Sequence, residues 1–223
     1  VAQAPADGYT FAVVFDSHAV NPALIPSLPF DTKKDLAAVS LIGTAAMTIA
    51  TPATSEYKSF ADVATALKAG KPVSYGTIGN GSLGHLAMTL LGKQNGLNWQ
   101  HVPYKGGGPM MQDAVGGHVP LVIGSVFVVK PHIDSGRVRA LAVTTAKRSA
   151  ELPNVPALAE VGYGQFEAPA WWAVLAPAKT PPEIVARMNA EISKVLQNPD
   201  TAKKLEAQGI SLIGGAPETA RVF

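Results

Sequence analysis

The order of segments predicts an α/β fold built on a largely parallel sheet, and three observations carry that prediction. Short β-rich apolar runs alternate with amphipathic helical stretches between Ser59 and Thr145. The strand-like runs are apolar almost throughout, as expected where helices cover both faces of a sheet. Two glycine-rich loops, at 79–84 and 105–108, each follow a strand and open a helix. In open α/β sheets that edge is where ligands sit.

From the N-terminus, Asp7-Gly8 marks a turn, and TFAVVF at 10–15 reads as a buried strand. Ser17 to Pro29 is rich in Ser, Asn and Pro and reads as a loop. Leu41 to Ala50 is a second apolar run, with Gly43 inside it. SFADVATALKAGKP is a helix: Ser59 is its N-cap, Asp62 answers from the third helical position, and Phe60, Val63, Ala64 and Leu67 form the stripe. Gly70 and Pro72 stop it. Val73 to Tyr75 is a strand that runs into the first glycine loop. HLAMTLLGKQNG is a helix closed by Gly96, WQHVPY a strand, PMMQDAVGG a helix, VPLVIGSVFVV one long strand, and ALAVTT at 140–145 another.

The prolines of ELPNVPALAEVGYG break the rhythm, and WWAVLAP is a further strand. TPPEIVARMNAEISKVLQNP is the best-marked helix, with Thr180 as cap, Pro181 or Pro182 in the first turn, Glu183 completing a capping box, and Ile184, Met188, Ile192 and Val195 facing the core. A short helix to Gln208 and a strand near Ile210 to Ile213 follow. VAQAP reads as the tail of a helix and PETARVF as the start of one.

Composition removes several function classes. Hydrophobic residues make up 47% of the 223 and charged residues 15%, which is a globular balance with too little charge for a disordered chain. The net charge is +2 and the lysines and arginines are scattered, so no nucleic-acid partner is expected. With no cysteine, a thiolate nucleophile, a zinc–thiolate site and a disulfide framework are excluded. The five histidines show no ligand spacing, so no metal is expected. No apolar run reaches the ~18–20 residues of a membrane span.

Gly79-Asn80-Gly81-Ser82-Leu83-Gly84 matches the dinucleotide pattern G-x-G-x-x-G in the right strand-to-helix context. The acidic residue that should bind a ribose hydroxyl ~20 positions later is missing from WQHVPY. A nucleotide-dependent oxidoreductase using Gly79–Gly84 therefore stands as the alternative reading. The loop's physics suits any small anion: glycines let amides converge at a helix N-terminus, and Thr77 and Ser82 add hydroxyl donors. The opposing reading is a tight turn that merely needs glycine.

In the second loop, Lys105 either reaches an anion or is solvated, and Tyr104 either packs or touches ligand beside Gly106. Ser17, His18 and Asn21 either donate to a ligand or make local turns. Ser125, inside an apolar strand, either faces a cleft or bonds the backbone. Trp171-Trp172 is either core or a cleft wall. Catalysis finds no footing. Asn80 stands where a nucleophile elbow needs glycine, Ser82 and His85 have no local acid to orient the histidine, and no carboxylate pair falls at a motif spacing. No enzyme and no cofactor are expected.

Read together, PADGYTF, NPALIPSLPFDTKKDLAAVSLI, SYGTIGNGSLGHLA, HVPYKGGGPMMQDAVGGHVPL, SGRVRALAVTTAKRSAELPNVPALAEVGY and WWAVLAPAKTPPEIVARMNAEI resemble, in the family's order, the Bug-type extracytoplasmic solute receptors of tripartite tricarboxylate transporters. The resemblance implies a two-lobed periplasmic-binding-protein fold (Venus flytrap, type II), α/β with mostly parallel sheets and a cleft between lobes. It implies that residues 1–43 with 171–223 form one lobe, lacking its first βα unit, and 44–170 the other. It implies a periplasmic receptor, its export signal outside this chain, that captures a small organic acid between its lobes for uptake or sensing; a monomer is expected, with a membrane transporter complex as a candidate partner.

By position, the family's ligand segments fall on Ser17 and Asn21; on Thr77, Gly79, Gly81, Ser82 and His85; and on Tyr104, Lys105 and Gly106. Many relatives carry Asp or Asn near Ser125, and serine there argues against an amino-acid ligand. On this reading Gly79, Gly81 and Gly84 aim their amides at a carboxylate rather than a pyrophosphate.

Overall fold

The structure, a computed structural model, describes residues 1–164 and 167–217. The helix expected to start in PETARVF lies outside them from Glu218 onward. In chain order the elements are β1 (Ala12–Phe15), α1 (Ser17–Leu24), β2 (Leu36–Ala45), β3 (Met47–Pro52), α2 (Phe60–Lys68), β4 (Ser74–Thr77), α3 (Leu83–Asn95), β5 (Gln100–Pro103), α4 (Gly107–Gly116), β6 (Leu121–Ser125), α5 (Val126–Asp134), β7 (Val138–Val143), β8 (Ala170–Pro177), α6 (Pro182–Gln197), α7 (Pro199–Ala207) and β9 (Ser211–Leu212). They fall into two compact units, Val1–Thr44 with the segment from Ala170 onward, and Ala45–Pro169.

The unit formed by Ala45–Pro169 is a five-stranded sheet in the order β5-β4-β6-β3-β7. β4 runs parallel to β5 and to β6, whereas β3 is antiparallel to both β6 and β7. The four strands delivered by successive βα units, β4, β5, β6 and β7, therefore share one direction, and β3 opposes them. β3 is the strand by which the chain enters the unit, without a crossover helix to turn it round. One face of the sheet carries α4 and α5, whose Met110, Met111, Ala114 and Val129 pack with Ala50, Val122 and Val138. α3 covers the other face, and Gly84 allows the close approach: a β-carbon there would lie 2.9 Å from Ile123 Cγ2.

The other unit is a four-stranded sheet, β1-β8-β2-β9, with β1–β8 and β2–β9 both antiparallel. Val185, Met188 and Ile192 of α6 lie against Val39, Val174 and Ala176 on one face, and Leu41, Trp171 and Ala173 pack together with Val14 and Ala38. Asn189 pins α6 to the sheet, donating to Val39 O at 2.8 Å and Gly215 O at 2.7 Å.

The expectation of mostly parallel sheets is thus corrected to mixed sheets, for the reason β3 supplies and because β1 and β9 both add to their sheet in reverse. Four local expectations also change. β1 is half exposed, with Val13 68% and Phe15 46% accessible, because it ends the sheet order and that face is uncovered among the described residues. Ser17–Leu24 is a helix carrying Pro22 in its interior, not a loop. The run VPLVIGSVFVV splits at Ser125 into strand and helix; its β-branched residues satisfy both the buried strand and the buried side of α5, so composition could not place the break. The N-cap of α6 is Pro181, with no bond from Thr180, and Val195 is 56% exposed. The α2 reading stands in full: Ser59 and Asp62 form the capping box and Phe60, Val63, Ala64 and Leu67 are buried.

Candidate ligand site

Three βα junctions meet at one end of adjacent strands in the Ala45–Pro169 unit. They are Thr77 to Leu83, Pro103 to Gly107, and Ser125 to Val126, at the C-terminal ends of β4, β5 and β6. Each presents a helix N-terminus, with its fractional positive charge, to the same edge. Ser82, Gly106 and Ser125 are the three N-caps.

In the first junction the loop satisfies itself. The Thr77 hydroxyl is fully buried, accepts the Gly79 amide at 3.2 Å, lies 3.0 Å from Gly79 O and 2.7 Å from His101 Nε2. Ser82 Oγ donates to Gly79 O at 2.8 Å and accepts the His85 amide at 3.4 Å, which caps α3. The Gly81 amide donates to His85 Nδ1 at 3.1 Å. Gly79 and Gly81 have φ values of +146° and +72°, backbone that a side chain would strain. The hydroxyls of Thr77 and Ser82 and the amides of Gly79 and Gly81 are engaged within the loop, and the missing side chain of Gly84 lets α3 approach Ile123.

The second junction divides its roles. Tyr104 packs: its ring lies where a β-carbon on Gly76 would come within 2.8 Å, and its hydroxyl donates to Asp113 Oδ2 at 2.9 Å. Burial, with the Asp113 carboxylate beside it, pushes the Tyr104 hydroxyl up to about 12. Lys105 is exposed, with no ion pair among the described residues. Gly106 has φ +103° and open space around it. In the third junction Ser125 is largely buried at the end of β6 and caps α5 without a side-chain hydrogen bond. The Val126 amide is taken by Ala46 O at 2.8 Å.

Ser17 and Asn21 belong to the other unit. They lie four apart on α1 and so share one of its faces. The residue before them escaped the sequence reading: burial, opposed by the amides of Ser17 and of Asp16 itself, pushes the Asp16 carboxyl up to about 6. Burial also lowers His18. His101 was missed as well. It enters through strand register, opposite Tyr75, where its ring stacks on that of His85 with centroids 3.9 Å apart. A groove of about 590 Å³ runs along the flank of α3 and β5, lined by Tyr75, His85, Lys93, Trp99 and His101 among others. It shares only His85 with the residues named from sequence. Among the described residues, no cluster of three or more acidic or imidazole side chains could hold a metal, and no helix is long and apolar enough to cross a membrane.

Comparison with known proteins supplies the context for this edge. Residues 1–221 match the family model of the tripartite tricarboxylate transporter family receptor. Protein BugT of Bordetella pertussis is 35% identical, over 100% of this chain and 69% of its own length. The Rpa4515 protein of R. palustris, solved with adipate, is 34% identical with a TM-score of 0.93, covering 100% of this chain and 75% of that one. MatC (Rpa3494) from Rhodopseudomonas palustris, solved with bound malate, is 27% identical with a TM-score of 0.90, covering 100% and 78%. The chain spans about two thirds of the length of curated relatives it matches, 66% and 69% for two of them. The family and its solved neighbours are receptors of transport systems rather than enzymes, which removes the oxidoreductase alternative, and the fold is that of the periplasmic binding proteins. On the family model and these relatives together, the chain belongs to the tripartite tricarboxylate transporter receptor family.

Proposed function

We propose that this chain is a periplasmic solute receptor that takes a small dicarboxylate at the shared edge of β5, β4 and β6, and delivers it to a membrane transporter complex as a monomer. The observation that carries this reading is the convergence of three helix N-termini there, on α3, α4 and α5. Helix geometry leaves first-turn amides without acceptors inside the helix. Ser82 takes that of His85, and the amides of Leu83 and Gly84 on α3, and of Gly107 and Gly108 on α4, are the donors assigned to the ligand. Thr77, Gly79, Gly81, Ser82 and His85 then act as the frame that presents α3. Lys105 contributes charge, and Ser125 a hydroxyl free of capping. Ser17 and Asn21 form a second candidate contact set on α1, in the unit that would be the other lobe. Adipate and malate, with which two solved relatives were determined, support the ligand class proposed.

The test is calorimetric titration of the chain with adipate, malate, acetate and NAD. Saturable binding of a dicarboxylate, with acetate weaker and NAD silent, is the expected result. A ligand at 100 times its dissociation constant should also stabilise the fold by about 2.7 kcal/mol. NAD binding with no response to any carboxylate would reject the receptor reading.

A further inference from the structure

Two imidazoles tie down both sides of the glycine loop. The Gly81 amide donates to His85 Nδ1, so that nitrogen carries no proton. The His85 ring lies on the His101 ring at 3.9 Å with 10° between the planes. His101 Nε2 is 2.7 Å from Thr77 Oγ1, the atom that accepts the Gly79 amide. Gly79 O in turn receives Ser82 Oγ. The path Gly81–His85–His101–Thr77–Gly79–Ser82 thus closes on itself through two side chains that stand sixteen residues apart in sequence.

We propose that His85 and His101 are positioning residues that hold the Gly79–Ser82 loop in this shape only while both rings are neutral, so that the loop rearranges on protonation. A proton on His85 Nδ1 turns the acceptor of the Gly81 amide into a second donor aimed at a donor. Two stacked imidazolium rings would repel at close range. The groups facing the pair offer no relief. From β4 come Tyr75, its ring 5.2 Å from that of His101, and Thr77. From α3 come Thr89 and the cation Lys93, and from the β5 side Trp99 and Gln100; among the described residues no carboxylate lines the groove. Burial first, and the neighbouring His85 second, hold His101 below the usual imidazole range. The inference deepens the ligand reading, since the loop frames the helix end assigned to the carboxylate.

The decisive measurement needs no ligand: ¹H–¹⁵N spectra of the whole chain recorded between about pH 5 and 8, where imidazoles change charge. The Gly79 and Gly81 amide signals should titrate together with the ring signals of His85 and His101. His85→Asn keeps an acceptor near the Nδ1 position and should abolish the Gly81 titration. His101→Gln keeps a partner for Thr77 and should shift the pH at which the Gly81 amide signal moves. Flat glycine signals across the interval would overturn the proposal, as would a Gly81 transition indifferent to His101→Gln. The wild-type titration decides even where a variant fails to fold. Adipate affinity measured over the same interval should shift with the glycine signals, and should not shift in His85→Asn; an affinity constant across the interval would break the link to ligand capture. Absence of adipate binding at every pH would sink the ligand reading, while the loop titration would still decide the lock.

Discussion

Ser82→Ala separates a framing hydroxyl from a ligand-donating one. Ser82 Oγ caps α3 by accepting the His85 amide and anchors the loop by donating to Gly79 O at 2.8 Å. Loss of a serine cap costs about 0.5–2 kcal/mol. Loss of the bond to Gly79 O adds little, because Thr77 Oγ1 at 3.0 Å and the Ser82 amide at 3.3 Å still reach that carbonyl. A net loss of about 1–2 kcal/mol follows, and at about 2–4 °C per kcal/mol for a chain of this size the melting temperature should fall by several degrees. Scanning calorimetry of the free protein reads the stability, and adipate titration of the same variant reads the affinity. The expected result is a lower melting temperature with affinity changed by less than about tenfold, since a lost charge-assisted bond would cost more than 1.4 kcal/mol. An unchanged melting temperature with affinity down more than tenfold would refute the framing role and return the hydroxyl to the ligand.

Other perturbations probe the same frame. Gly84→Ala forces a β-carbon to 2.9 Å from Ile123 Cγ2 and 3.3 Å from Ile123 O. Overpacking at about 1–3 kcal/mol, offset by about 1 kcal/mol of helix propensity, should lower the urea midpoint; a gain in stability would show that α3 can slide away from β6. Tyr104→Phe removes the bond to Asp113 and should cost about 1 kcal/mol of stability with adipate affinity unchanged, whereas a large affinity loss would make the hydroxyl a ligand contact. The folded-state value of Asp16, raised to about 6 from 3.8, means that the native protein holds a proton the unfolded chain releases. Its stabilising contribution is present below about pH 4 and lost as pH rises toward 6, on the order of 3 kcal/mol at most. Asp16→Asn should therefore raise the melting temperature at pH 7 and flatten its pH dependence over that window; an unchanged profile would place the carboxyl in solvent.

Much of the scaffold was legible because local physics and fold agree. The capping box at Ser59 and Asp62, the left-handed Gly96 after α3, and the buried β6 are each determined by neighbours in sequence. The errors arose where one composition suits two structures. Ser17–Leu24 looked like a loop because its Ser, Asn and Pro favour turns, yet Pro22 is tolerated within the helix. Val126–Val129 looked like strand because β-branched residues also fill a buried helix face. At the site, the glycine loop was visible as a place, but its internal bonding was not. That bonding depends on His101, which reaches Thr77 only through the register of β4 with β5. Nothing in the fifteen residues between His85 and His101 announces that the rings will stack.

The strand pairing also sets an order of assembly. Every sheet strand of the Ala45–Pro169 unit lies in one continuous stretch, Met47 to Val143. β1 of the other unit must pair with β8, Ala12 opposite Leu175, so that sheet cannot close until most of the chain has left the ribosome. Non-local pairing of this kind is slow. The expected sequence is early protection of amides in β4 and β6 and late protection in β1, which pulse-labelled hydrogen exchange would reverse if the reasoning were wrong. Until β8 arrives, β1 carries Val13 and Phe15 on an unpaired edge, a segment open to pairing with other chains. The unit that would be finished last therefore leaves an apolar strand without its partner while most of the chain is being made.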